Sequence, residues 1–132
     1  MRAETWLVTG ATGQLGGHIL HVLAQRRPPV RVVALSRSAM TAPAGGAAEV
    51  IDLADGAALR AAVSRHHPDF IVHAGAMTAV GACHADPLLA ERINRDATRI
   101  LAESAAACGA RMVFTSTDMA FAGDNAPYRP DD

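Results

Sequence analysis

Residues 9–17 read T-G-A-T-G-Q-L-G-G, with glycines at 10, 13 and 16 between an apolar run at 6–9 and a stretch of helical spacing that begins at Gln14. A strand that turns sharply through glycine into a helix opens a βα unit. It also brings backbone N–H groups and the positive end of a helix dipole to one point, where a phosphate can sit. Gly10 suits the tight turn, Gly13 the close approach of backbone to a pyrophosphate, and Gly16 the close packing of helix on sheet. A glycine repeat alone is weak evidence, because turns enrich glycine in any case. Here the strand before it, the helix after it and the further βα units behind it agree. The cradle so defined comprises Gly10, Thr12, Gly13, Gln14, Leu15 and Gly16.

The same alternation continues along the chain. Strands are expected at 6–9, 31–35, 49–52, 70–73 and 111–116. The first helix should run over 14–25, turning Leu15, Ile19, Val22 and Leu23 to the sheet, until Pro28-Pro29 stops it. A second is capped by Asp55 and runs to about His66, with Leu59, Ala62 and Val63 on one face and Pro68 beyond. Asp86-Pro87 starts a long helix that should bury Ile93, Ala97, Ile100, Leu101, Ala105 and Cys108 before Gly109 ends it. Residues 38–48 read as a loop, and periodicity is lost from Asp118 onward. With right-handed crossovers the economical fold is a single-domain α/β protein, a Rossmann-type doubly wound parallel sheet of five strands in the order 3-2-1-4-5. No linker, boundary or internal repeat interrupts residues 1–132.

Composition bounds the partners. A net charge of -1 and a mean hydropathy of +0.13 describe a soluble domain with no basic excess for nucleic acid. No apolar run is long enough to span a membrane, and the N-terminus leads straight into a strand, so no signal peptide is expected. Cys83 and Cys108 stand apart and suit reduced thiols in a cytoplasmic setting.

The second strand ends at Leu35-Ser36-Arg37-Ser38, with Ser36 twenty residues past Gly16. An acid at this point accepts hydrogen bonds from the ribose hydroxyls of NAD. Ser36, Arg37 and Ser38 instead offer a guanidinium and two hydroxyls, which match a 2′-phosphate and favour NADP(H) over NAD(H). The plainer alternative is that Arg37 is a solvated loop residue.

The T-G-x-x-G-x-x-G spacing resembles that of extended short-chain dehydrogenases/reductases. That resemblance places Asp52 near the exocyclic amine of adenine and gives Leu53 a backbone contact, although Asp52 also suits a turn cap. Three further segments narrow it. F-I-V-H-A-G-A-M-T-A-V (70–80) resembles the VINAAAYTAVD segment of dTDP-4-dehydrorhamnose reductases. Asp86-Pro87 followed by Ile93-Asn94 resembles EPELAYAVN, with Asn94 at a structural asparagine. T-S-T-D-M-A-F-A-G (115–123) resembles STDYVFDG, with Met119 in place of tyrosine and Ala122 in place of aspartate. The resemblance implies that Ala74, Gly75 and Ala76 line the nicotinamide-ribose side. It implies too that Thr117 hydrogen-bonds a substrate keto oxygen, with Asp118 beside it. A hydroxyl there makes sense, since a carbonyl gains negative charge as hydride arrives; Ser and Thr after a strand also serve as caps.

The family's chemistry needs a Tyr-xxx-Lys pair. The one tyrosine, Tyr128, lies in P-Y-R-P-D-D, which resembles the loop PYxExD preceding the catalytic segment, and all twelve basic residues are arginine. The resemblance therefore covers the first half of a family member. The expected parent activity is reduction of a nucleotide-sugar ketone or another small carbonyl substrate, with this chain by itself inactive. A sugar-nucleotide epimerase or dehydratase, or a non-catalytic NADP-binding subunit such as the β-subunit of methionine adenosyltransferase, is the alternative. The apolar fifth strand, an open sheet edge, leads us to expect self-association.

Other residues carry less. His66 and His67 suit contacts with the last carbonyls of their helix. Cys83, His84 and Asp86 are too close in sequence to converge on a metal, and no base is placed to activate either cysteine. His73 suits either the cofactor cleft or a buried polar contact.

Overall fold

The computed structural model describes residues 2–124 and 126–131. In chain order its elements are β1 (Thr5–Thr9), α1 (Gln14–Ala24), β2 (Arg31–Ser36), β3 (Ala47–Val50), α2 (Gly56–His66), β4 (Phe70–His73), α3 (Val80–Ala85), α4 (Pro87–Glu91), a π-helical turn (Arg92–Asp96), α5 (Ala97–Cys108), β5 (Arg111–Phe114) and a 3-10 turn (Asp118–Ala120). The strands form one parallel sheet in the order β3-β2-β1-β4-β5, the Rossmann-like topology expected. Sheet growth reverses between β1 and β4, so a crevice opens at the carboxyl ends of those strands.

Two-residue periodicity sorts the strand side chains into two cores. Leu7, Val33, Leu35 and Ile71 point to one face, where Leu59, Ala62 and Val63 of α2 and Ala97, Leu101 and Ala105 of α5 cover them. Val8, Val32 and Val72 point to the other, against Leu23 of α1, with Trp6 stacked on Phe70 at 4.3 Å between ring centroids. Helix ends follow the local chemistry. Asp55 accepts the Ala58 N–H at 2.9 Å, and Asp86 the Leu89 N–H at 3.0 Å with Pro87 behind it. Gly109, at φ 75°, ends α5 as Ala110 N–H returns to the Ala105 carbonyl at 2.9 Å.

Several expectations need correction. In α1 the inward face is Gly16, Ile19, Leu20 and Leu23, while Leu15 and Val22 are exposed. Gly16 packs directly against the backbone of Gly10 and Ala11, which turns its side of the helix inward. Cys108, the last residue of α5, is exposed, and Ala105 is the last residue of that helix in the core. The helix expected from Pro87 to Cys108 is interrupted by the π turn, and α3 forms ahead of it where no helix was foreseen. The third strand lies at 47–50 rather than 49–52, since Ala47 and Ala48 pair with Val33 and Ala34 of β2. The fifth ends at Phe114, although Thr115 N–H still reaches the His73 carbonyl at 3.2 Å.

His66 does not meet helix carbonyls. Its Nδ1 accepts from Arg31 at 3.1 Å, and its Nε2 contacts the Glu49 carboxylate, which Arg65 also binds at 2.6 Å. The Arg65 hydrogen bond, chiefly, holds the Glu49 carboxyl below its ordinary range, and the cluster ties β3 to the end of α2.

Candidate functional site

A cleft of about 690 Å³ crosses the carboxyl ends of β1, β2 and β4. Its first wall is the glycine loop. Gly10 sits at φ 65°, a left-handed conformation, and a Cβ there would lie 2.7 Å from Gly75 Cα on the opposite wall. A Cβ on Gly16 would overlap the Gly10 carbonyl, so the third glycine serves helix-against-loop packing rather than the helix-against-sheet packing expected. The Gly13 N–H closes the loop onto the Gly10 carbonyl at 2.9 Å. Gly13 is also the N-cap of α1, so no side chain caps the helix, and its first turn contains no acid. That end of α1 is suited to an anion.

Gly10, Thr12, Gly13, Gln14, Leu15, Gly16, Ser36, Arg37, Asp52, Leu53, Ala74, Gly75 and Ala76 all line the cleft. Ser38 does not; its carbonyl accepts the buried Ser36 hydroxyl in a short hydrogen bond. Arg37 is exposed at the rim, with no ion-pair partner among the described residues. Asp52 Oδ1 accepts the Ala54 N–H at 2.8 Å, so its turn-capping role is present in the fold. Thr117 and Asp118 lie beyond the cleft lining. The Thr117 hydroxyl caps the 3-10 turn, accepting the Met119 N–H at 3.2 Å, and sits 3.2 Å from Asp118 Oδ1.

Residues missed by the sequence reading line the cleft too: Met77, Thr78 and Ala79 leading into α3, Ala82 within it, Leu89 from α4 and Ile93 from the π turn. A six-residue helix carries little periodicity, so α3 left no signal. Asn94, in the π turn, holds this segment by both edges of its amide, accepting the Met77 N–H at 2.8 Å and donating to the Met77 carbonyl at 3.0 Å. His73 is buried beneath the floor, between the hydroxyls of Thr9 (2.6 Å) and Thr98 (3.1 Å), and does not face the cleft. Burial lowers its pKa to about 4, which keeps the ring neutral. Among the described residues, no three His, Cys, Asp or Glu side chains gather to hold a metal, and no helix is long and apolar enough to cross a membrane.

A family model described as the RmlD substrate binding domain matches residues 4–132. The chain belongs to this family. Within the RmlD family, a dTDP-4-dehydrorhamnose reductase of Streptomyces griseus is 39% identical over 127 residues, covering 96% of this chain and 38% of that protein. A crystal structure of a hypothetical dTDP-4-dehydrorhamnose reductase from Sulfolobus tokodaii superposes with a TM-score of 0.84 at 32% identity, covering 98% of this chain and 44% of that one. A dTDP-4-dehydrorhamnose reductase from Bacillus anthracis in complex with NADP gives 0.74 at 25% identity, covering 95% and 40%. The chain thus spans less than half the length of each of these RmlD relatives.

Proposed function

We propose that this chain is the NADP(H)-binding portion of a reductase that acts on a 4-keto nucleotide sugar. The observation that carries the reading is the uncapped N-terminus of α1, opening on a 690 Å³ cleft through a glycine loop with no room for a Cβ at Gly10 or Gly16. The first-turn N–H groups of α1 would hold the pyrophosphate. Arg37 would clamp the 2′-phosphate with paired hydrogen bonds, and the Ser36 hydroxyl would join it only by leaving the Ser38 carbonyl. Asp52 and Leu53 would border the adenine, and Ala74, Gly75 and Ala76 the nicotinamide ribose. When bound, the cofactor supplies the hydride. This chain's own part is to orient it and to exclude water from its face.

Thr117 enters the proposal as a rim hydroxyl. It lies three residues past Phe114, which pairs with His73 of β4, so it leaves the sheet at the same end as Ala76. Releasing its turn-capping bonds would let it reach a substrate carbonyl. The proton would come from a group supplied beyond these residues, since Tyr128 is their one tyrosine and no lysine is present. Activity of the parent protein on a nucleotide-sugar ketone, and inactivity of this chain alone, are both part of the proposal.

Calorimetric titration with NADPH and NADH side by side is the test. Tighter binding of NADPH, with the preference lost in Arg37→Ala, supports the clamp. Equal binding of both in the wild type removes it, and binding of neither removes the cofactor reading altogether.

A further inference from the structure

We infer that His73, with its proton on Nε2, is a positioning residue that sets the floor of the cleft against the glycine loop. The inference rests on the nucleotide reading for its ligand and on geometry for its mechanism. Thr98 Oγ1 donates to the Asn94 carbonyl at 3.0 Å, so the same oxygen can only accept from the ring nitrogen 3.1 Å away. His73 Nε2 therefore carries the proton. Nδ1 then accepts from Thr9 Oγ1 at 2.6 Å, and Thr9 Oγ1 in turn accepts the Gly75 N–H at 3.1 Å. The opposite tautomer would leave the hydroxyl proton of the fully buried Thr9 without an acceptor among the described residues.

The bonds form one directed run from Gly75 N–H through Thr9, His73 and Thr98 to the Asn94 carbonyl, and the Asn94 side chain returns to Met77. It joins the residue preceding the glycine loop, the floor segment after β4 and the π turn, the three pieces that frame the cleft. Little slack exists at the cleft end. A Cβ on Gly75 would meet Leu53 Cδ1 at 2.8 Å, Gly10 N at 3.1 Å and Thr9 Oγ1 at 3.3 Å. A displacement of Thr9 would therefore be felt by both walls at once. An imidazole is well suited to the link, because it accepts at one edge and donates at the other across the width between β1 and α5.

The test combines NMR and binding on the full chain. Nitrogen shifts of His73 should show a pyrrole-type Nε2 and a pyridine-type Nδ1, unchanged from pH 7 to 5; an Nδ1–H tautomer or a charged ring at pH 6 overturns the inference. His73→Asn keeps an acceptor at the Nδ1 place, whereas His73→Leu keeps none. Amide exchange at Gly75 should stay within about twofold of wild type in the first and rise about tenfold in the second, with NADPH affinity following the same split. Equal exchange in the two variants overturns the positioning role. If the wild type binds no NADPH while Gly75 exchange still splits, the cofactor reading falls and the positioning role stands. Should the leucine variant fail to fold, Thr98→Val replaces it. Removing the Nε2 acceptor should mix the tautomers and raise Gly75 exchange severalfold; an unchanged tautomer and unchanged exchange refute the link.

Discussion

Lowering the pH from 7 to 5 should cost the folded chain about 2 kcal/mol through His73 alone. The ring is 1% exposed, and burial takes its pKa from 6.5 to about 4. Its neighbours are Thr9 from β1, Thr98 from α5 and the stacked ring of Phe114 from β5, none of them charged. An unfolded chain takes up a proton near pH 6.5 that the native ring refuses. Stability is therefore complete above that value, declines as the pH falls, and levels off near pH 4, where the native ring also titrates. Each unit inside the window is worth up to about 1.4 kcal/mol, so the loss approaches 3 kcal/mol at pH 4. Glu49 and Asp69, whose carboxyls are lowered by Arg65 and by the Thr5 N–H respectively, act in the same direction at lower pH, where they protonate. Urea unfolding of wild type and His73→Asn at pH 7, 6 and 5 separates the contributions, because the carboxylates are common to both. The wild type should lose about 2 kcal/mol relative to the variant across that range. Parallel curves would mean that His73 titrates as an ordinary imidazole, and the argument from its burial would be wrong.

Gly16→Ala forces a methyl into the Gly10 carbonyl, so NADPH binding should be lost by calorimetry even where circular dichroism shows the fold retained. Leu101→Ala empties a fully buried site between α5 and the sheet and should cost about 3 kcal/mol in a urea titration. Asp86→Ala removes the cap of α4 and should cost about 1 kcal/mol by the same measurement. Val113 and Phe114 stand exposed on β5 at the sheet edge, so this chain produced alone should show a light-scattering mass that rises with concentration; a constant monomer mass would contradict that.

The strand order was legible because each strand is bounded by glycine, proline or a helix cap, and parallel connections leave few topologies. Gly10, Asp55, Asp86 and Gly109 act locally, and each stands where its local chemistry indicates. The failures share a different cause: each depends on contacts that spacing within one element does not report, and those of the histidines are distant in the chain. The face of α1 follows from the approach of Gly16 to Gly10, and spacing alone allowed Leu15 and Val22 equally. His66 pairs with a carboxylate seventeen residues away, and His73 with hydroxyls 64 and 25 residues away. Of the cleft lining, the glycine loop and Arg37 were readable from spacing along the βα units, and Asp52 only through the family resemblance. The wall built by α3 was not, because a helix of six residues, entered from a Met77 backbone that Asn94 of the π turn holds, leaves no periodic trace.

The π turn bears on how this domain tolerates change in length. At Arg92–Asp96 the Ala97 N–H reaches back five residues to the Arg92 carbonyl, the geometry of one residue inserted into an α-helix. In an uninterrupted helix, loss of a residue would rotate everything downstream by about 100° and carry Ala97, Leu101 and Ala105 off the sheet. Here the insertion stores that residue in advance. Deletion within the turn can convert it to regular helix while α4 and α5 keep their faces, and the price is the Asn94 grip on Met77. The turn is thus a point where one residue can be lost at the edge of the cleft while Ala97, Leu101 and Ala105 stay on the sheet.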